Sequence, residues 1–93
     1  MAELIDNAAR NRYEMSSGNA TAFIEYEIRS DAIVLEHTEV PAEMSGQGIG
    51  SALVRSVLED VRRRGLKVVP NCTFVQKYLQ RHPEYQDNVM PPG

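Results

Sequence analysis

The sequence predicts an α+β fold in which a mixed, mainly antiparallel sheet packs against one long and one short helix. Apolar residues alternate with polar ones between Arg12 and Val40, interrupted by turn residues, as in half-buried strands. From Ile49 the spacing changes to that of an amphipathic helix, and a further apolar run follows the helix at once. Strand, helix and strand in that order make a right-handed crossover with a parallel pair. With 93 residues, 42% of them hydrophobic and 25% charged, the chain suits one domain over residues 1–93, with its core at about 12–89.

The first strand starts at Arg12, with Tyr13 and Met15 on one face, and ends in the turn residues Ser16-Ser17-Gly18-Asn19. A second runs from Ala22 to Ile28, where Ala22, Ile24, Tyr26 and Ile28 alternate with Phe23, Glu25 and Glu27. After the turn Ser30-Asp31 a third covers Ala32 to Val40 and becomes polar at Glu36, His37, Thr38 and Glu39. Leu53, Val54, Val57, Leu58 and Val61 then form the inner stripe of the long helix. Arg62-Arg63-Arg64 complements its negative end, and Gly65 supplies the left-handed cap. Leu66 to Cys72 is the last strand; Pro70 lacks a ladder donor, so its later half lies at an edge or has parted from its neighbour. Thr73 is expected to cap a short helix with Phe74, Val75, Tyr78 and Leu79 inward, stopped near His82-Pro83. The ends, up to about Asn11 and after about Asn88, are expected to be loosely held, with Pro91-Pro92-Gly93 a tail.

The single Cys72 has no disulfide partner, no run approaches the ~20 apolar residues of a membrane span, and the first residues lack a signal-peptide pattern. The expected location is therefore the cytosol, with no membrane partner. The net charge of −3 divides unevenly, with −6 over residues 1–45 and +3 over 46–93. That division suits an anionic cofactor beside the second half and a cationic substrate beside the first. A net acidic chain without interleaved basic and aromatic residues does not suit nucleic acid.

The segment Ser45-Gly46-Gln47-Gly48-Ile49-Gly50-Ser51-Ala52 joins a strand to the long helix, a context in which glycines let backbone N–H groups approach a phosphate. The helix dipole adds about half a positive charge there. A P-loop needs Lys and Ser or Thr after its last glycine, whereas Gly50 precedes Ser51 and Ala52. A dinucleotide fingerprint needs a third glycine where Ser51 stands, and an acidic residue ending the next strand, which Leu66 to Cys72 lacks.

The segment resembles the acyl-CoA site of the GNAT superfamily of N-acetyltransferases, whose signature is Arg or Gln, two residues, Gly, one residue, then Gly or Ala. Gly48 and Gly50 match, and Ser45 stands where Arg or Gln is usual. The chain further looks like the small single-domain subgroup, through Glu36-His37-Thr38-Glu39-Val40-Pro41, Gly46 to Gly50, Val68-Val69-Pro70-Asn71-Cys72 and His82-Pro83-Glu84-Tyr85, across roughly residues 12–89. The resemblance implies a sheet whose two central parallel strands splay apart, with pantetheine lying in the V. It implies acetyl-CoA as donor, an amine or lysine-bearing acceptor, a monomer and no metal. Ser45, Gly46, Gln47, Gly48, Ile49, Gly50 and Ser51 would hold the pyrophosphate, the Val40 N–H would meet the thioester carbonyl, and Asn71 and Tyr78 would line the cofactor.

Acetyl transfer to an amine requires a neutral nucleophile, a polarised carbonyl and a proton for the leaving thiolate. His37 is the histidine of the polar strand, and a neutral imidazole can take a proton from an amine directly or through water. Either His37 with Glu39, or Glu36 with Thr38, faces the cleft. Cys72, just before a helix, is placed where the positive helix end favours a thiolate that could carry the acyl group covalently. The subgroup resemblance puts it near the cofactor sulfur, although the wider superfamily implies direct transfer from the thioester, the preferred route. Packing is the competing role for His37 and Cys72, and the leading one for Tyr78, whose hydroxyl would otherwise protonate the leaving thiolate or cover the pantetheine; His82 ends its helix. The same residues also suit a non-catalytic acyl-CoA sensor, which would bind the cofactor and accelerate nothing.

Overall fold

The computed structural model describes residues 3–90. A five-stranded sheet follows chain order: β1 (Leu4–Asn7), β2 (Arg12–Ser17), β3 (Ala20–Arg29), β4 (Ala32–Glu39) and β5 (Lys67–Pro70). The pairs from β1 to β4 are antiparallel and β4–β5 is parallel. Helix α1 (Ile49–Arg63) is the crossover between the parallel strands, and α2 (Thr73–Arg81) follows β5.

Alternation sets which face is buried. Tyr13 and Met15 of β2, Ala22, Ile24 and Tyr26 of β3, and Ile33 and Leu35 of β4 form one core with α1, which contributes all of Leu53, Val54, Val57, Leu58 and Val61. Val75, Tyr78 and Leu79 of α2 close the same core. The opposite face of the sheet carries Glu14, Phe23, Glu25, His37 and Glu39, so the charged groups there keep contact with water.

Five sequence expectations are corrected. The segment before Asn11 is not loose: Leu4–Asn7 pairs with Arg12–Met15, and Asn11 makes the turn at φ 52°. Residues after Asn88 are also tied, because the Met90 N–H donates to the Val68 carbonyl at 2.7 Å and Val89 bridges Val68; Pro91-Pro92-Gly93 lies outside the described residues. The parallel pair stands at the end of the strand order rather than its centre, since beyond β5 only that short bridge continues the sheet. Thr73 is the first residue of α2 and makes no cap; Cys72 holds the capping position, also without a side-chain bond. Phe74 points outward and is 40% exposed, because it lies against α1's first turn instead of the core.

A polar network fixes the far end of α1. The Tyr13 hydroxyl donates to Asp60 at 2.7 Å, Arg64 donates to that hydroxyl at 2.8 Å and to Asp6 at 3.2 Å, and Tyr26 donates to Asp6. Burial pushes the Asp60 pKa up, but the hydrogen bond from Tyr13 and the charges of Arg63 and Arg64 outweigh it, leaving the carboxyl below its ordinary range.

Candidate functional site

After β4, Val40 and Pro41 lead into a single 3-10 turn, Ala42–Met44, whose Met44 is buried and roots the glycine loop in the core. Gly46 at φ 79° and Gly48 at φ 73° adopt the left-handed conformation, which explains glycine at both positions. A Cβ on either would meet no atom within 4 Å, so a side chain there would project into the open space over the loop.

Gly48 occupies the N-cap of α1 and has no side chain to satisfy the first turn; Ala52 is the first amide of the helix to find an acceptor, the Gly48 carbonyl at 3.0 Å. Among the described residues, the amides of Gly46, Gly48, Ile49, Gly50 and Ser51 have no protein acceptor, and no acid occupies the first turn. Unpaired amides on the positive end of a helix of 15 residues make an anion cradle. A groove of about 320 Å³ runs from Val40 past Gly46, Gly48 and Ser51 to Phe74.

Beside the loop the parallel strands separate. Their register runs from Ala32 opposite Lys67 to Leu35 opposite Pro70, and the Asn71 N–H makes the last link to the Leu35 carbonyl at 3.0 Å. The Pro70 carbonyl turns to the Gln76 side chain at 2.7 Å, while β4 continues to Glu39 with β3 alone. The edge of β4 beyond Leu35 is thus open toward the helices, as the splay requires.

Tyr26 pairs with Leu35 and Glu25 with His37, so Glu36 is an extra residue, a β-bulge that resets which side chains face inward. Thr38 lies opposite the buried Ile24 and faces the helices; His37 and Glu39 lie opposite Glu25 and Phe23 on the other face. The alternation open in the sequence is settled as Thr38 inward and His37 with Glu39 outward. Thr38 Oγ1 reaches Cys72 Sγ at 3.0 Å, a single side-chain contact between the diverging segments, and Cys72 is buried. His37 Nε2 contacts Glu39 Oε2 at 2.9 Å, and both side chains are more than half exposed. A carboxylate only accepts, so the neutral imidazole carries its proton on Nε2 and leaves Nδ1 basic.

The other predicted residues fall around the groove in different ways. Ser45, Gln47 and Ser51 are exposed, with Gln47 Nε2 bonded to the Glu43 carbonyl at 3.1 Å. Ile49 and Val40 are half-buried against the core. Asn71 commits its amide to the sheet and leaves its side chain exposed. Tyr78 is buried, stacks on His82 at 4.2 Å between centroids, and has its pKa raised, chiefly by burial. His37 and Cys72 are not brought together: they belong to opposite faces of β4. Among the described residues no group of three His, Cys, Asp or Glu is arranged to hold a metal.

A cradle of free amides continuous with an open strand edge suits a diphosphate carrying an extended amide-bearing arm. The profile of the GCN5-related N-acetyl-transferases matches residues 12–88. The chain belongs to that family. Among curated relatives, protein NATD1 of Gallus gallus and of Mus musculus are each 36% identical over 73 residues, spanning 75% of this chain and 66% of the relative. The match thus covers just under two thirds of those proteins' length. The solution structure of a GCN5-like candidate N-acetyltransferase from Staphylococcus aureus superposes with a TM-score of 0.74 at 30% identity, covering 96% of this chain and 88% of that one.

Within this site, the structure decides one residue that the sequence left open, Thr38, and adds one that sequence reasoning placed in the core instead, Phe74. Thr38 is the polar neighbour of Cys72, hidden because the bulge at Glu36 interrupts the alternation. Phe74 covers Gly50: a Cβ on that glycine would stand 2.5 Å from Phe74 Cζ. No sequence signal marks it, because Phe74 and Gly50 lie 24 residues apart and meet only through the packing of α2 on α1.

Proposed function

We propose that the chain is an acetyl-CoA-dependent N-acetyltransferase that acts on an amine. The unpaired amides of Gly46, Gly48, Ile49, Gly50 and Ser51 at the start of α1 carry this reading, because a diphosphate would give each of them an acceptor. Ser45 and Gln47 complete the rim of that cradle with polar side chains. When bound, acetyl-CoA supplies an acetyl group already activated as a thioester.

The protein's part is chiefly positioning. The open edge of β4 offers backbone groups to an extended arm, and the Val40 N–H, just past the end of β4, serves to polarise the carbonyl under attack. Asn71 and Tyr78 line the arm on the β5 and α2 side. His37, with Nε2 held by Glu39, takes a proton at Nδ1 from an amine approaching over the outer sheet face. Its acidic neighbours Glu25 and Glu39 favour a cationic acceptor, such as a small amine or a lysine side chain. Cys72, kept in place by Thr38, returns a proton to the leaving thiolate; transfer is direct, without an acyl group resting on Cys72. The chain works as a single domain and as a monomer, in the cytosol.

Titration calorimetry with CoA tests the cradle: Gly48→Val is expected to abolish binding while its circular dichroism stays that of the parent. An isotherm equal to that of the parent overturns the cradle. Catalysis is tested by thioester loss with polyamines, lysine peptides and amino-sugars. Acceleration by at least one acceptor supports the enzyme, and none with any, despite tight CoA binding, leaves a sensor.

A further inference from the structure

Resting on the coenzyme A reading above, we propose that Arg55, Lys77 and Arg81 form a second anion site. It receives the 3′-phosphate on the ribose of coenzyme A and so selects the coenzyme over its dephospho form.

The cations converge on the cradle. Two grooves, of about 260 and 250 Å³, share Ser51 and Tyr78; one is lined by Lys77 and Arg81, the other by Arg55. Ser51 also lines the glycine-loop groove, so the three depressions meet at that residue. Lys77 and Arg81 are one turn apart on the same face of α2, and Arg55 stands one turn beyond Ser51 on α1. All three side chains belong to exposed residues.

These cations are also uncommitted. Of the ten Lys and Arg residues in the sequence, Arg12, Arg29, Arg62, Arg63 and Arg64 have carboxylate partners. Among the described residues the other five, Arg10, Arg55, Lys67, Lys77 and Arg81, have none, and three of those five line the two grooves. The nearby acids are engaged elsewhere: Glu59 accepts from the Tyr85 hydroxyl at 2.8 Å, and Glu84 faces His82 at 3.4 Å. Positive charge gathered in a groove without a protein counter-ion fits an anion from outside.

The chemistry of the ligand supplies the rest. In coenzyme A the pyrophosphate at the ribose 5′ position and the phosphomonoester at 3′ sit on one sugar, so a protein that grips the first holds the second close to the same surface. A phosphomonoester is close to a dianion at neutral pH and presents three acceptor oxygens, which suits two guanidinium groups and an ammonium. With the arm directed along β4 toward Val40, the nucleotide end is left to the other side of Ser51, where these cations stand.

The test compares CoA with 3′-dephospho-CoA by titration calorimetry. The parent protein is expected to bind CoA about tenfold more tightly, the size of one charge-assisted contact at a solvated site. The double variant Lys77→Met, Arg81→Met, and separately Arg55→Met, should bring that ratio toward one with dephospho-CoA affinity unchanged; all three positions are exposed, and thermal melts check folding. Lys67→Met, which removes an equal charge at the far end of the sheet, should leave the ratio as in the parent. Equal affinity of the parent for both ligands overturns this inference and leaves the cradle intact, whereas no binding of either overturns both. A ratio lowered as much by Lys67→Met reduces the effect to general attraction and also overturns the inference.

Discussion

At the scale of single residues, the two glycines of the loop do different things. Gly48 is needed for its backbone conformation, whereas Gly50 lies in the helix and is needed because Phe74 occupies the place of its side chain. Gly50→Ala should therefore displace the Phe74 ring into the adjoining grooves and lower CoA affinity several-fold, although alanine is the better helix former by about 1 kcal/mol. Adding Phe74→Ala should restore binding, which calorimetry on both variants checks. Cys72→Ala should slow thioester turnover while leaving CoA affinity near that of the parent, and mass spectrometry of the parent during turnover should detect no acyl adduct; full activity of the variant would reduce Cys72 to packing. The glycines were legible because each leaves a gap in a side-chain pattern. The facing of Thr38 was not, because parity along β4 is reset at Glu36 by a bulge that depends on pairing with β3. Phe74 was misread as inward because a helix of nine residues gives its apolar stripe too few turns to define it.

At the scale of elements, α1 carries the site and the core together. Its stripe residues Leu53, Val54 and Val57 are fully buried, so Leu53→Ala is expected to destabilise the fold by about 3 kcal/mol, read from the midpoint of urea unfolding. This helix was legible in full, including its arginine-rich end and glycine stop, since a 3.6-residue stripe of five apolar residues has no competing explanation. β2 and β3 were legible for the same reason at a period of two, and β4 from the apolar run Ile33-Val34-Leu35 that follows the turn Ser30-Asp31. β1 was not: its four residues carry only two apolar side chains, and pairing with β2 rather than local preference makes it a strand. The docking of Val89 and Met90 on β5 is likewise a tertiary event, in which two backbone groups cover an edge that no local pattern announces.

At the scale of the whole molecule, the proposed binding loop and the stabilising polar network stand at opposite ends of α1. The glycine loop holds the start, and the Tyr13, Asp60, Arg64, Asp6 and Tyr26 network holds the finish. That network joins residues up to 58 apart in sequence, which is why no motif revealed it, whereas the loop is contiguous and could be read. It also sets the pH limits. The Asp60 carboxyl is held below its ordinary range, so its contribution is present above the unfolded value of 3.8 and is lost as pH falls through the lower folded value. Burial, with hydrogen bonds to Asp6 and Glu59, raises Tyr26 and Tyr85 from 10.0 to about 12, and burial and Asp60 push Tyr13 higher still. Their contribution is complete below pH 10 and is lost as pH rises through the folded values. Thermal melts should show a plateau at neutral pH falling on both sides, and Asp60→Asn should weaken the acid arm of the curve. The open amides at the other end have a different consequence. Ile49, Gly50 and Ser51 begin a helix whose interior is locked in the core, yet no protein group accepts a hydrogen bond from their amides, and such amides exchange readily into heavy water. They form a built-in isotope reporter, fast when the loop is vacant and slowed once a ligand accepts from them, so occupancy can be followed on the unmodified chain without dye, tag or turnover.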